Sequence, residues 1–191
     1  LARTRAYVDI VRQVLRREGP VTHAGPHYPL PYRGAGAIGV GKPLRANTHP
    51  LRPDLPIYLG AEGPKNVRQT THIADGWLPL YFNPFHPELY ADQLKDAKPG
   101  FEIAPMVMVN MADDLQEALL PAKRALAFYV GGMGAQEHNF HKNLMARMGY
   151  EAAASRIQAL FMAGQRDEAV MAVPDRFADE ITLSGPQARI K

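Results

Sequence analysis

The sequence predicts an α/β fold built on a parallel sheet, and three observations carry that expectation. Pro56-Ile57-Tyr58-Leu59-Gly60 and Gly76-Trp77-Leu78-Pro79-Leu80 are apolar runs of strand length. Between them, Val67, Thr70, Thr71 and Ala74 recur at helical spacing over Gly63 to Ala74. Glu102 to Asn110 is a third apolar run, reached through a helix candidate from Pro87 to Lys95. Strand, helix and strand at this spacing form a βαβ crossover, which makes the strands parallel.

At the start of the chain, Tyr7, Ile10, Val11, Val14 and Leu15 form an apolar stripe that predicts an amphipathic helix over residues 1–18, stopped by Gly19-Pro20. The helical pattern begins almost at Leu1, which reads as an internal cut, and the stripe needs a surface that nothing before it supplies. Residues 19–55 carry seven prolines and six glycines and no sustained period. A connection of that length predicts an ordered insertion loop walling a site, with Tyr28, Tyr32, Ile38, Val40 and Leu44 as its apolar anchors.

Residues 56–110 hold the βα units, and Pro105 places the regular part of the third strand from Met106 onward. Residues 111–191 read as mostly helical. Asp113 or Asp114 caps a helix carrying Leu115, Ala118, Leu119, Ala122, Ala125, Leu126 and Tyr129, which Gly131-Gly132 ends. Further helices are predicted near residues 140–148, 151–163 and 166–173, with a last strand over Asp179 to Leu183 before Gly185-Pro186. Such units fit a doubly wound sheet or an eight-fold barrel. A barrel needs about 250 residues, so this chain cannot close one alone. We read residues 1–191 as a single partial domain.

Composition excludes several classes. The net charge of +3 comes from 22 basic and 19 acidic residues, with no block of five like charges, which argues against nucleic acid as a partner. The absence of cysteine removes disulfides and thiolate metal sites and fits the cytoplasm. No apolar run reaches the roughly 18 residues of a membrane span, and the start lacks a signal pattern.

Two glycine patterns in the loop imitate nucleotide motifs. Gly34 to Gly39 fits G-x-G-x-x-G, yet Pro29 and Pro31 precede it and Pro43 follows, where a strand and a helix are required. Gly36 to Lys42 fits G-x-x-x-x-G-K, but Pro43 stands where Ser or Thr must reach magnesium. The stretch Gly60-Ala61-Glu62-Gly63-Pro64-Lys65-Asn66 follows a strand and opens a helix. Unpaired N–H groups and the helix dipole favour an anion there. Gly60 and Gly63 let a ligand approach the backbone, Pro64 suits the first helical position, and Lys65 adds charge. A plain, well-capped turn accounts for the same residues equally well.

His138 and His141 could share a helix face but lack a third ligand, so no metal is expected. His23 and His27 are separated by helix-breaking residues, and His72 and His86 read as surface or supporting groups. Gly76 is expected as a helix C-cap after Asp75, with Trp77 packed in the core or lining a barrel. Arg45, His49 and Arg52 form a basic cluster best explained by solvation.

Together, Gly19-Pro20-Val21, His23, Gly25 and His27 to Pro31, then Pro56 to Pro64, then Ile73-Ala74-Asp75-Gly76-Trp77 resemble the bacterial luciferase-like monooxygenase family, most closely its deazaflavin-dependent members. Tyr129 to Gly134 with Asn139-Phe140 resembles one subgroup. The resemblance implies the C-terminal part of an eight-fold (β/α)8 TIM barrel, often a homodimer, in which hydride passes between coenzyme F-420, or alternatively FMN, and a small organic substrate. It places the cofactor phosphate on Glu62-Gly63 and Lys65-Asn66. It also places the usual acid, base and ring-binding groups on strands that precede this segment, so no catalytic residue is named. A non-catalytic partner or remnant that binds a complete barrel subunit is the competing reading.

Overall fold

A computed structural model of the chain describes residues 1–134 and 138–190. Helix α1 spans Ala2–Arg16 and buries Ala6 and Val8. Its predicted stripe is only half covered, with Tyr7 60 % exposed. The connection to residue 57 contains no helix or strand among the described residues, only isolated antiparallel bridges of Val21 with Leu44 and His23 with Leu30. The five predicted anchors do not anchor it: Tyr28, Tyr32, Ile38, Val40 and Leu44 are all exposed, and Val21 alone is buried. Tyr28 keeps one ring contact, edge-on to Tyr7 of α1 at 6.1 Å, and beyond Tyr32 three glycines at positive φ, Gly36, Gly39 and Gly41, lead through exposed chain.

Strand β1 (Tyr58–Gly60), helix α2 (Pro64–Ile73), strand β2 (Gly76–Leu78), helix α3 (Glu88–Leu94) and strand β3 (Glu102–Ile103) follow the predicted βαβαβ order. β1 pairs with β2 and β2 with β3, both parallel. β1 is half-buried rather than fully buried. The predicted third strand is split. After β3 the chain runs without strand pairing through residues 104–107 and resumes as β4 (Met108–Met111), two residues later than expected. Pro105, with no N–H to donate, lies in the break. The two halves serve different neighbours, β3 pairing with β2 and β4 with the final strand β5 (Thr182–Gly185), again in parallel. Four lines of chain therefore lie side by side in sequence order, an arc of a β/α barrel. Leu78, Val107, Val109 and Met111 are 42–63 % exposed along it, so the arc keeps an open apolar face.

The C-terminal half is helical as predicted. Helix α4 (Leu115–Gly132) starts at Asp114, whose side chain accepts from the Glu117 N–H at 2.9 Å. It contains Pro121, which the periodicity overlooks. It ends at Gly131-Gly132 as expected, with Met133 as the C-cap; both glycines lie in its last turn, where an added Cβ would meet the Phe161 ring carbons at 2.5–2.6 Å. Helices α5 (Phe140–Met145), α6 (Glu151–Met162), α7 (Arg166–Met171) and α8 (Asp175–Glu180) pack around α4, with a π-turn over Ala146–Tyr150 joining α5 to α6. The predicted last strand is displaced. Asp179 still belongs to α8, which ends at Glu180, and Thr182, the first residue of β5, donates its Oγ1–H to the Ala178 carbonyl in the last turn of that helix at 2.8 Å. A short helix α9 (Gln187–Ile190) follows. One apolar cluster joins both halves, from Val67, Trp77 and Tyr90 to Leu119, Leu126, Ile157 and Phe177. No helix among the described residues is long and apolar enough to cross a membrane.

Candidate functional site

The strands are parallel, so their C-terminal ends open on one side of the sheet, where sites on such sheets form. An open cavity of about 440 Å³ lies there, lined by Gly60, Ala61, Glu62, Gly63 and Asn66 from the β1–α2 turn, Leu78 and Leu80 from β2 and beyond, and Phe140 and His141 from α5. Of the predicted turn, Pro64 and Lys65 do not line it; they are exposed on the first turn of α2.

The turn is held from beneath. Trp77 is 2 % exposed, its Nε1–H donates to the Ala61 carbonyl at 2.7 Å, and its ring meets Phe82 and Tyr90 edge-on. Packing is therefore the role of Trp77, and it also fixes the first residue of the turn. Gly63 is the N-cap of α2 and contributes no side-chain cap. Its carbonyl accepts from the N–H groups of Asn66 at 2.8 Å and Val67 at 3.0 Å. Pro64 has no N–H, and among the described residues the N–H groups of Gly63 and Lys65 meet no acceptor. Gly63 has φ −72° and ψ 143°, open to any residue. A Cβ there would meet Phe140 only at 3.7 Å, and one at Gly60 only the Leu78 carbonyl at 4.0 Å. Neither backbone strain nor protein packing demands these two glycines. Without side chains they leave the floor of the cavity open.

Position fixes Phe140 and His141. Asn139, 1 % exposed, donates to the Val130 carbonyl at 2.8 Å and the Tyr129 carbonyl at 3.2 Å, and accepts from the Lys142 N–H at 2.9 Å. One amide thus closes the end of α4 and caps α5, delivering α5 to the cavity wall. His141 Nδ1 stands 3.4 Å from Glu62 Oε2. Burial lowers its pKa, partly opposed by Glu62. Burial also pushes the Tyr81 hydroxyl well above its ordinary value, with Tyr129 and Glu62 adding to the rise. The sequence pairs His141 with His138 as a weak metal candidate; the structure pairs it with Glu62. Among the described residues no cluster of His, Asp and Glu could hold a metal ion.

Asp75 lies at the opposite, N-terminal end of the strands. It accepts from Arg12 Nη2 at 2.8 Å, Lys98 Nζ at 2.5 Å and the Ile57 N–H at 2.9 Å, joining α1, the entry to β1 and the segment before β3. Burial would raise its pKa, but Lys98, the Ile57 N–H and Arg12 together hold it at about 2. Gly76 is not the predicted C-cap. Ala74 caps α2, and Gly76 is the first residue of β2, where a side chain would collide with the Tyr58 ring. The nucleotide-like glycine patterns lie in the exposed loop, with no strand or helix beside them. His23, His27 and His72 line a separate hollow of about 590 Å³ against α1. His86 faces Glu88 at 3.0 Å, His49 bonds Arg17 at the surface, and Arg45 and Arg52 are exposed.

Parallel βα units carrying an open cavity at the strand C-termini define a β/α-barrel protein. The chain belongs to the luciferase-like monooxygenase family, whose model matches residues 1–191. It is 48 % identical over 194 aligned positions to a Mycobacterium tuberculosis protein, Rv3520c, named provisionally as a coenzyme F-420-dependent oxidoreductase; the match covers 97 % of this chain and 56 % of that protein. Its fold matches the coenzyme F-420-dependent tetrahydromethanopterin reductase of Methanopyrus kandleri with a TM-score of 0.68 at 20 % identity, over 95 % of this chain and 50 % of the reductase. An F-420-dependent secondary alcohol dehydrogenase, solved with an F-420–acetone adduct, matches with a TM-score of 0.57 at 16 % identity, over 96 % of this chain and 48 % of that chain. The chain thus spans about half the length of these relatives.

Proposed function

We propose that this chain supplies the phosphate-holding part of a coenzyme F-420-dependent oxidoreductase that moves hydride between the deazaflavin and a small organic substrate. The observation that carries the reading is the β1–α2 turn: unpaired N–H groups at Gly63 and Lys65 beside an open cavity floored by two glycines that neither strain nor packing requires. A phosphate suits those donors and the positive end of the α2 dipole. The 48 % identical relative, named for this coenzyme, favours F-420 over FMN.

When bound, the deazaflavin supplies the ring carbon that gives or takes hydride. The residues of this chain hold its tail. Gly63 and Lys65 donate N–H groups, the Lys65 ammonium adds charge at the rim, Asn66 offers an amide, and Phe140 walls the cavity against water. Trp77, through Ala61, keeps the turn in place. The test is a fluorescence titration of this chain with oxidised F-420 and with the same chromophore lacking its phosphate tail. We expect the phosphate-bearing form to bind at least about tenfold tighter, a difference near 1.4 kcal/mol. Equal affinities would remove the turn from the site.

A further inference from the structure

One buried nitrogen beside the turn makes no hydrogen bond. His141, on α5, lines the same cavity as Gly63; its side chain is 11 % exposed, and its Nδ1 is buried with no hydrogen-bond partner. Glu62 Oε2 at 3.4 Å is out of line for a hydrogen bond. The groups facing the imidazole are Glu62 from the β1–α2 turn, Tyr81 from the segment after β2, with ring centroids 5.9 Å apart, and Tyr129 from α4 at 5.0 Å. Lys142, the next residue, is turned away to Gln158 at 2.7 Å. The surroundings of His141 are thus aromatic and acidic.

Glu62 is an awkward neighbour for an anion. Its carboxylate belongs to the lining of the cavity whose N–H groups would receive one, and like charges a few ångströms apart repel strongly where water is thin. The imidazole that touches Glu62 is the titratable base placed to relieve that repulsion. A second negative charge beside it raises its affinity for a proton.

We propose that His141 takes up a proton when an anionic ligand enters the Gly63 turn, and so becomes the counter-charge that lets Glu62 and the ligand share one cavity. This rests on the reading of the turn as an anion site and adds a pH dependence to it. Binding at the turn tightens as pH falls from 8 to 5, because burial holds the free imidazole below its ordinary proton affinity. Above that range the imidazole stays neutral and Glu62 opposes the ligand.

The probe is inorganic sulfate, which does not titrate in this range. The Gly63 and Lys65 amide resonances of the intact chain report its binding, and the His141 Cε1–H resonance, identified by its loss in His141→Gln, reports protonation. We expect saturating sulfate to raise the His141 pKa by about half a unit to one unit, and sulfate affinity to fall by up to about threefold to tenfold as pH rises from 5 to 8. In His141→Gln the affinity should no longer change with pH. Sulfate that shifts the two amides equally at both pH values, with the His141 pKa unmoved, would overturn the proton uptake and leave the anion site standing. Sulfate that binds at neither pH would overturn both. The wild-type titration decides the matter even if the variant folds poorly.

Discussion

Gly63 and Asp75 stand at opposite ends of the same strands, one proposed for function and one for architecture. At Gly63 the backbone is extended and a methyl group would find ordinary contact distances. Gly63→Ala should therefore change stability by no more than about 0.5 kcal/mol, by urea unfolding. The methyl would occupy the cavity floor, so affinity for sulfate or F-420 should fall about tenfold in the same titrations. An unchanged affinity would mean that the ligand does not rest there. Asp75 has a folded pKa of about 2 against an ordinary 3.8. Its contribution to stability is fully present above about pH 4 and is lost as pH falls through 2. The carboxylate is partly solvated, so Asp75→Asn should cost only about 1 kcal/mol at pH 7. The gap between variant and wild type should shrink toward pH 2, measured as urea midpoints across that range.

Among the elements, α4 organises the C-terminal half, and its two ends are built differently. Asp114 satisfies one free N–H of the first turn, and Asp114→Ala should cost about 1 kcal/mol by thermal or urea unfolding. At the other end, Gly131 and Gly132 allow α4 to approach Phe161 of α6. Gly131→Ala improves helix propensity by about 0.8 kcal/mol, but the methyl would overlap the Phe161 side chain. Overpacking wins, and a net loss of about 1–2 kcal/mol is expected. A gain in stability would show that Phe161 swings aside freely. The broken third strand follows similar logic. Residues 102–111 are apolar enough for one strand, but a proline without an N–H falls where the chain passes from one neighbour to the next, and the pairing splits around it.

On the scale of the whole molecule, one apolar cluster spans the βα units and the helical half, with Trp77 inside it. Unfolding followed by Trp77 emission and by far-UV circular dichroism should therefore give a single coincident transition in urea. An earlier fluorescence transition would show the βα units melting apart from α4 to α8. The open apolar face of the strand arc lies outside this cluster, in a chain about half as long as its relatives.

Local pattern was enough for much of this. The βαβ spacing, the helix caps at Gly63 and Asp114, and the motif order that marks the family are properties of neighbours along the chain, where 3.6-residue and two-residue periods and backbone N–H supply act directly. The position of the turn between β1 and α2 was legible for the same reason, since a helix start declares its free donors locally. Tertiary structure alone decided what lies across space. It left Tyr28, Ile38 and Val40 in solvent, made Gly76 a seat for Tyr58, turned Asp75 into the tie between α1 and two strands, and carried His141 to Glu62, 79 positions earlier in the chain. Apolarity says that a side chain gains by burial but not which surface will cover it, and an imidazole's proton affinity depends on the charges that folding places beside it.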